Sequence, residues 1–473
     1  MRKIATAGLL ILFLGIAAGG VAAERPGVTH YALRYRLFPK ERRLEAEVRM
    51  TVKNLAGAAQ TELPFLLYRL LEVESVRDGT ERPLEFSSDI VKDADEPNLQ
   101  VNYVRVRLSP PLSPGESTRV VMKYSGSVFG YPEVWAYVRD TVSEEYSLLR
   151  KDSLSYPVLG RPAQADRFGA APKFTYEVEI TVPAGTTAAM GGRLKETRQE
   201  GGRATFVYES KVPTWRIDIA AARFAVVKDE ASQLHVYVLA EHEAGGRNVL
   251  AAMKRVVALY SRLFGEAPGY RGYTAIEIPA GWGSQAAELY FLQTAAAFTD
   301  PDRLGEVYHE VAHTWNAKPK PEVQRTRWFD EAFASYFESL AVREFEGEEA
   351  FRADMEQSRK VFLQWVEAEQ RHAQTPIVEY GKQEIGGLSY TKGAWSLYVL
   401  HQLLGEEQFL KLMRRLQAEH REQPADFQDF QRLAEQVAGR KLDSYFQEWF
   451  YGAESSRLLI ENVPIAEILA RYE

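Results

Sequence analysis

The run Tyr308-His309-Glu310-Val311-Ala312-His313-Thr314-Trp315 sets two imidazoles four positions apart, with a carboxylate directly after the first. On a helix, positions i and i+4 share a face one turn apart, so His309 and His313 can converge on one ion. Glu310 is turned away around the helix, where its carboxylate reaches a water beside the metal and not the metal itself. The spacing is the His-Glu-x-x-His zinc signature of metallohydrolases. Catalytic zinc takes three protein ligands and leaves a fourth position open. A second acidic cluster, Trp328-Phe329-Asp330-Glu331-Ala332-Phe333-Ala334-Ser335, offers Glu331 as the third ligand, near the start of a helix that can pack across the first. Glu310 is the alternative third ligand, a geometrically poor one because adjacent helical residues point about 100° apart. One zinc per chain is therefore expected. It lowers the pKa of water to about 7, and Glu310 would act as the base, passing the proton to a leaving amine.

The elements that must hold these residues follow from periodicity. Up to about residue 230, short runs alternate apolar and polar positions, as in Tyr31 to Leu37, Val101 to Leu108, Arg119 to Tyr124 and Tyr176 to Val182. Gly/Pro punctuation separates them, including Pro110 to Gly115 and Pro183-Ala184-Gly185. Such alternation predicts antiparallel β structure, a sandwich or saddle of two sheets. Beyond about residue 245 the period becomes helical, over Arg247 to Phe264, Leu304 to Trp315, Asp330 to Glu346, Phe351 to Gln370, Thr391 to Leu404, Glu407 to Ala418 and Phe427 to Val437. His235 to Leu239 and Tyr273 to Ile278 leave room for a small sheet. The expected fold is α+β multidomain, with a leader at 1–23, an N-terminal β-sandwich domain at 24–230 and a mainly helical catalytic domain at 231–473, its zinc site at 309–331.

Composition narrows the function classes. Lys+Arg 58 against Asp+Glu 65 gives a net charge of -7, and no basic tract offsets it, which argues against a nucleic-acid partner. Arg2 and Lys3, the apolar stretch Ile4 to Ala18, and Val21-Ala22-Ala23 before Glu24 read as a signal peptide, so the chain is expected to be exported, periplasmic or extracellular. An uncleaved leader would anchor it to the membrane, and no later segment reads as a transmembrane span. The absence of cysteine excludes disulfides, a thiol nucleophile and Cys-ligated zinc. His30, His235, His242, His372, His401 and His420 lack ligand spacing and read as surface or core residues. Glu338, seven residues after Glu331 on the same helical face, can accept the second ring N–H of a ligating histidine or be an ordinary surface glutamate.

His-Glu-Val-Ala-His-Thr-Trp followed by Trp-Phe-Asp-Glu-Ala-Phe-Ala-Ser-Tyr-Phe-Glu resembles the aminopeptidase N family (membrane alanyl aminopeptidase) of gluzincin zinc metallopeptidases. There the ligand glutamate sits in an Asn-Glu-Gly-Phe-Ala setting, which Asp330 to Ala334 matches with two changes. The loop from His313 to Glu331, with Pro319 and Pro321, is one residue shorter than is usual in the family. Ser389-Tyr390-Thr391-Lys392-Gly393-Ala394 is similar to the family's Tyr-x-Lys-Gly motif, and the resemblance gives Tyr390 the role of stabilising an oxyanion with its phenol. The β-rich first half is also similar to the family's N-terminal domain. The resemblance implies a zinc-dependent peptidase with a thermolysin-like catalytic domain at 231–473, acting on peptide substrates.

One family feature is altered. The stretch Gly281-Trp282-Gly283-Ser284-Gln285-Ala286-Ala287-Glu288 stands where the family carries Gly-x-Met-Glu-Asn, whose glutamate holds the substrate's α-amine. Ala286 falls at the glutamate's place and cannot bind an ammonium. Glu288 would serve only after a two-residue slip, because adjacent strand positions alternate faces. Glu144 and Glu145 are the nearest candidates from the first domain. The chain after Tyr390 is short, so the large helical domain of longer relatives is not expected over the cleft. An aminopeptidase-like hydrolase with an altered amine anchor is the first reading. The alternative is a non-turnover peptide-binding or envelope-assembly protein that retains a zinc site.

Overall fold

The computed structural model describes residues 25–168, 172–267 and 272–472; the expected leader at 1–23 lies outside them. The alternating runs of the first half become strands as the periodicity requires. Along Gly27–Phe38, Leu33, Tyr35 and Leu37 are buried while Arg34 and Arg36 face solvent. This strand is central to a seven-stranded sheet, in the order Arg193–Glu200, Arg203–Glu209, Thr175–Pro183, Gly27–Phe38, Arg43–Lys53, Ser117–Gly126, Leu71–Asp78. A four-stranded sheet built on Gln100–Leu112 and Gln60–Tyr68 shares its core, which includes Val48, Phe65, Val104 and Met122. Pairing in this half is antiparallel except between Gly27–Phe38 and Thr175–Pro183, which run parallel. Two parallel neighbours need a long return path, and the chain makes it through the second sheet.

Three core tyrosines pin the loop that leaves this sandwich toward the second half. Tyr35 and Tyr124 donate to the Ser155 carbonyl at 3.1 and 3.0 Å, and Tyr31 donates to the Pro157 carbonyl at 2.9 Å. A small sheet of Thr187–Met190, Ile219–Ala222 and Tyr146–Leu149 then carries the first half onto the second. Its apolar face (Tyr146, Leu148, Ala189, Ala220, Ala222) packs against Tyr237, Ile276, Ile278 and Leu292. Tyr146 donates to the Glu277 carbonyl at 2.6 Å, and the Tyr208 and Tyr237 hydroxyls meet at 3.1 Å. At Gly191 a Cβ would lie 2.2 Å from the Tyr290 ring, so only glycine permits this approach.

The second half opens with a five-stranded sheet in the order Phe224–Asp229, Leu234–Leu239, Thr274–Ile278, Tyr290–Thr294, Gln285–Ala287. The boundary expected at 230/231 therefore falls inside its first hairpin, between Phe224–Asp229 and Leu234–Leu239. The helix Glu243–Phe264 covers the sheet, with Val249, Met253, Val256 and Tyr260 facing in. The remaining helices form a bundle whose aromatic centre is Trp328, fully buried among Phe329, Phe333, Phe427, Phe430 and Phe450. Among the described residues no helix is long and apolar enough to cross a membrane.

One buried charge in this bundle has a cost that pH should reveal. Lys392 is fully buried, donates to Ser456 Oγ at 2.9 Å, and burial pushes its pKa down to about 7. The folded pKa lies below the unfolded value of about 10.4, so between those limits the unfolded chain binds the extra proton and stability rises with pH. Lys392→Met keeps the volume and removes that linkage. The variant is expected to exceed the parent in stability at pH 7, with a margin that shrinks toward pH 9.5 by up to about 1.4 kcal/mol per pH unit. Urea unfolding at both values checks this, and a margin independent of pH would count against it.

Candidate active site

The zinc helix runs Gly305–Ala312 and tightens into a 3-10 turn at His313–Trp315, so His313 stands at the junction. Val307, Tyr308, Val311 and Ala312 are buried against the bundle. The imidazoles of His309 and His313 point the other way, with ring centroids 5.0 Å apart at 83°. The segment expected as one helix from Asp330 divides in two. Trp328–Ala332 is a π-helical turn, and the α-helix proper is Phe333–Glu346. The extra residue in such a turn shifts side chains relative to a regular helix. The buried Trp328 and Phe329 hold the turn, and the Glu331 carboxylate projects from it at the histidines.

Glu331 Oε2 lies 3.1 Å from His309 Nε2 and 3.7 Å from His313 Nε2. The other ring nitrogens are already committed. His309 Nδ1 meets Glu338 Oε2 at 3.2 Å and His313 Nδ1 meets Asp330 Oδ1 at 2.7 Å. Asn316 Nδ2 donates to the same Asp330 oxygen. A carboxylate can only accept, so Nδ1 is the donor in each of these pairs, and Nε2 is the nitrogen that each ring turns to the space in front of Glu331 and would offer to a metal. The three ligand atoms all lie within 4.8 Å of one another. Ligands about 2 Å from a tetrahedral zinc stand roughly 3.3 Å apart, a value the two measured separations bracket. Two imidazoles and one carboxylate are the donor set of a catalytic zinc, and the residues fit it.

The environment explains the protonation of each group. Burial works against charge on His309, yet the carboxylates of Glu331 and Glu338 hold its pKa well above the usual range. Burial would raise Glu331, but Arg327, His313 and His309 outweigh it and keep the group ionised. Glu310 is nearly buried, and desolvation pushes it up to about 7 against the pull of His313 and His309. A dication beside it lowers that value and favours the carboxylate. The Tyr390 ring lies parallel to that of His309, 5.7 Å centroid to centroid at 9°. Burial carries its phenol well above the ordinary range, so it remains a donor.

The structure thus brings together all five residues singled out from the sequence: His309, Glu310, His313, Glu331 and Tyr390. Glu338, left open between two readings, touches His309. Asp330, Asn316 and Arg327 were not anticipated. The position of Asp330 beside the ligand was the available signal for it, and Arg327 stands four residues before Glu331, the spacing of a helical ion pair.

Gln285–Ala287 is the outer strand of the five-stranded sheet and packs against the zinc helix. Ala286 pairs with Phe291 in it, and Glu288 falls just beyond. Glu288 is committed elsewhere, with Oε1 3.1 Å from Lys173 Nζ and Oε2 accepting from Thr214 Oγ1 at 2.6 Å. Glu144 and Glu145 are exposed. Arg150 grips the approach to this strand, donating to the Trp282 carbonyl at 2.9 Å and the Tyr137 carbonyl at 3.0 Å while paired with the buried Asp140. Gly283, at φ +71°, lies against the Tyr137 ring, where a Cβ would approach to 3.0 Å.

Comparison with known proteins follows this geometry. Residues 289–449 match the Peptidase family M1 domain. The chain is 22% identical over 324 residues to Probable aminopeptidase 2 of Sulfurisphaera tokodaii, a match covering 62% of this chain and 39% of that protein. It therefore spans about two fifths of the length of that relative. The M1 zinc metallopeptidase of Deinococcus radiodurans shares the fold, with a TM-score of 0.63 at 18% identity over 92% of this chain and 94% of that one. A mutant of that enzyme bound to a Tyr-Ser-Ala substrate superposes with a TM-score of 0.60 at 18% identity over the same shares. Yeast LTA4 hydrolase gives 0.68 at 13% identity over 90% of this chain and 68% of that one. The chain thus carries, over residues 289–449, a domain of peptidase family M1, set within the two-part fold of M1 zinc metallopeptidases.

Proposed function

We propose that this chain is a zinc metallopeptidase that hydrolyses peptide bonds, aminopeptidase-like but without a strong hold on the substrate's α-amine. The observation that carries the reading is the convergence of His309 Nε2, His313 Nε2 and Glu331 Oε2 beside a buried Glu310 and a protonated Tyr390. His309, His313 and Glu331 would hold zinc, which would supply a Lewis acid able to polarise a carbonyl and acidify water. Glu310 takes the proton of the attacking water and delivers it to the leaving nitrogen. Tyr390 donates its phenolic O–H to the oxygen that gains charge as the carbonyl becomes tetrahedral. The free edge of Gln285–Ala287 offers backbone groups to an extended peptide, which aligns it with the zinc helix.

Glu310→Gln is expected to keep stoichiometric zinc and to lose at least about a hundredfold in kcat. Tyr390→Phe should lower kcat by a similar factor with little change in KM, since its bond strengthens only as charge develops. Metal analysis alongside kinetics on a peptide library checks both. Full activity in Glu310→Gln would sink the mechanism. A protein with full zinc that cleaves nothing yet retains peptides would favour the binding-protein reading.

Carboxylate pairing at the junction of the two halves supports the altered specificity. Four carboxylates there have cationic partners: Asp140 has Arg150, Asp152 and Asp218 share Arg216, and Glu288 has Lys173. A charge-assisted bond to an ammonium is worth about 1.5–3 kcal/mol, so its loss removes roughly ten- to a hundredfold of preference. Matched free and N-acetylated peptides are expected to differ little in kcat/KM. A preference above about a thousandfold for the free amine would mean that an anchor exists, and Glu288→Ala would then be the first variant to test.

We also propose that the protein is exported, on the strength of the charged start, apolar stretch and small-residue site within residues 1–23. N-terminal sequencing of protein recovered from the envelope fraction should begin at Glu24; an intact Met1 on cytoplasmic material would refute export.

A further inference from the structure

Arg327 holds Glu331 at both ends. Its carbonyl accepts the Glu331 backbone N–H at 2.7 Å, and its guanidinium binds Glu331 Oε1. The other carboxylate oxygen, Oε2, is thereby the one turned to the two histidines. The backbone at Arg327 is left-handed, at φ 57° and ψ 10°, a conformation that a long side chain adopts only at a cost. The same guanidinium lies 5.5 Å over the Tyr390 ring, which in turn is parallel to that of His309. One side chain therefore touches a metal ligand and the phenol proposed to act in catalysis, and neither contact is needed to build the aromatic core around Trp328.

We propose that Arg327 is a positioning residue for the metal: it occupies Oε1 of Glu331 so that Oε2 alone is presented to zinc, and it lies over the Tyr390 ring. The inference rests on the metallopeptidase reading and specifies how its third ligand is oriented. Two effects of the guanidinium oppose each other. Its charge repels a dication and weakens metal binding, while its grip on the carboxylate prevents Glu331 from rotating and strengthens it. The burial of the carboxylate decides between them. The Glu331 side chain is 3% exposed, so water cannot take the place of the guanidinium on Oε1, and its orientation depends on protein contacts alone. Orientation wins, and removal of the guanidinium should loosen the metal.

Arg327→Gly tests this cleanly, because glycine accepts positive φ and leaves the π turn undistorted. Its zinc dissociation constant, measured by competition with a chelating dye, is expected to rise tenfold to a hundredfold, the usual range for residues behind a ligand. The visible spectrum of the cobalt-substituted protein should change, since it reports ligand geometry. Arg327→Lys should recover part of the affinity, and the thermal midpoint of metal-free Arg327→Gly should stay within a few degrees of the parent. Unchanged zinc affinity and cobalt spectrum in Arg327→Gly would overturn the proposal, as would tighter binding. His313→Ala separates the two readings. Loss of zinc there with no effect in Arg327→Gly rejects the role of Arg327 alone, and zinc retained at full occupancy in His313→Ala rejects the site itself.

Discussion

Two imidazoles four residues apart serve a metal only if each presents the same nitrogen, unprotonated, to one point. Here that condition is imposed from behind. Glu338 and Asp330 accept from Nδ1 of His309 and His313, so neither ring can turn its Nε2 away without losing a charge-assisted bond. The two carboxylates come from the segment that also bears Glu331. The zinc helix therefore contributes nitrogens and the second segment contributes their orientation, and the site depends on how closely the two pack.

That packing is set by small residues and one large one. Trp328 is clamped by five phenylalanines and donates its indole N–H to Ser396 Oγ at 3.1 Å, which fixes where the π turn begins. Gly393, on the helix Lys392–Leu404, faces the turn so closely that a Cβ would lie 2.8 Å from Ala332 Cβ and 3.2 Å from the Trp328 ring. Any larger residue would push the helix outward and carry Tyr390, three residues before it, away from His309. The glycine of the Tyr-x-Lys-Gly run thus has a packing reason, and the tyrosine depends on it.

The sequence announced the chemistry more fully than the scaffold. Residue type and an i, i+4 interval determine the His309–His313 pair, because a single helical turn is a local object. Strand alternation foretold the buried faces of Gly27–Phe38 and Thr175–Pro183, yet nothing local distinguishes a parallel neighbour from an antiparallel one, and those two strands proved parallel. Of the π turn at Trp328–Ala332, the residues from Asp330 on read as the start of a regular helix, because polar and apolar positions fit a regular period over so few residues. Glu338 was visible as a helical neighbour of Glu331. Asp330 and Arg327 were not assigned roles, since their partners depend on that turn and on a left-handed residue, neither of which leaves a pattern in the sequence.

The junction between the halves shows how charge, without a ligand, can shape a cleft. Arg150 and Arg216 are almost wholly buried, and each guanidinium is met by a buried carboxylate, Asp140 for the first and Asp218 for the second, with the partly buried Asp152 also on the second. Such pairs gain little net stability over an apolar core of equal volume, because desolvating both ions offsets their attraction. What they contribute here is direction. Arg150 reaches across to the carbonyls before the edge strand, and Asp218 accepts the Tyr290 hydroxyl from the neighbouring strand at 2.9 Å. The first half thereby fixes the strand along which a peptide would lie. The same bonds commit those carboxylates to Arg150 and Arg216, in keeping with the weak hold on an ammonium proposed above.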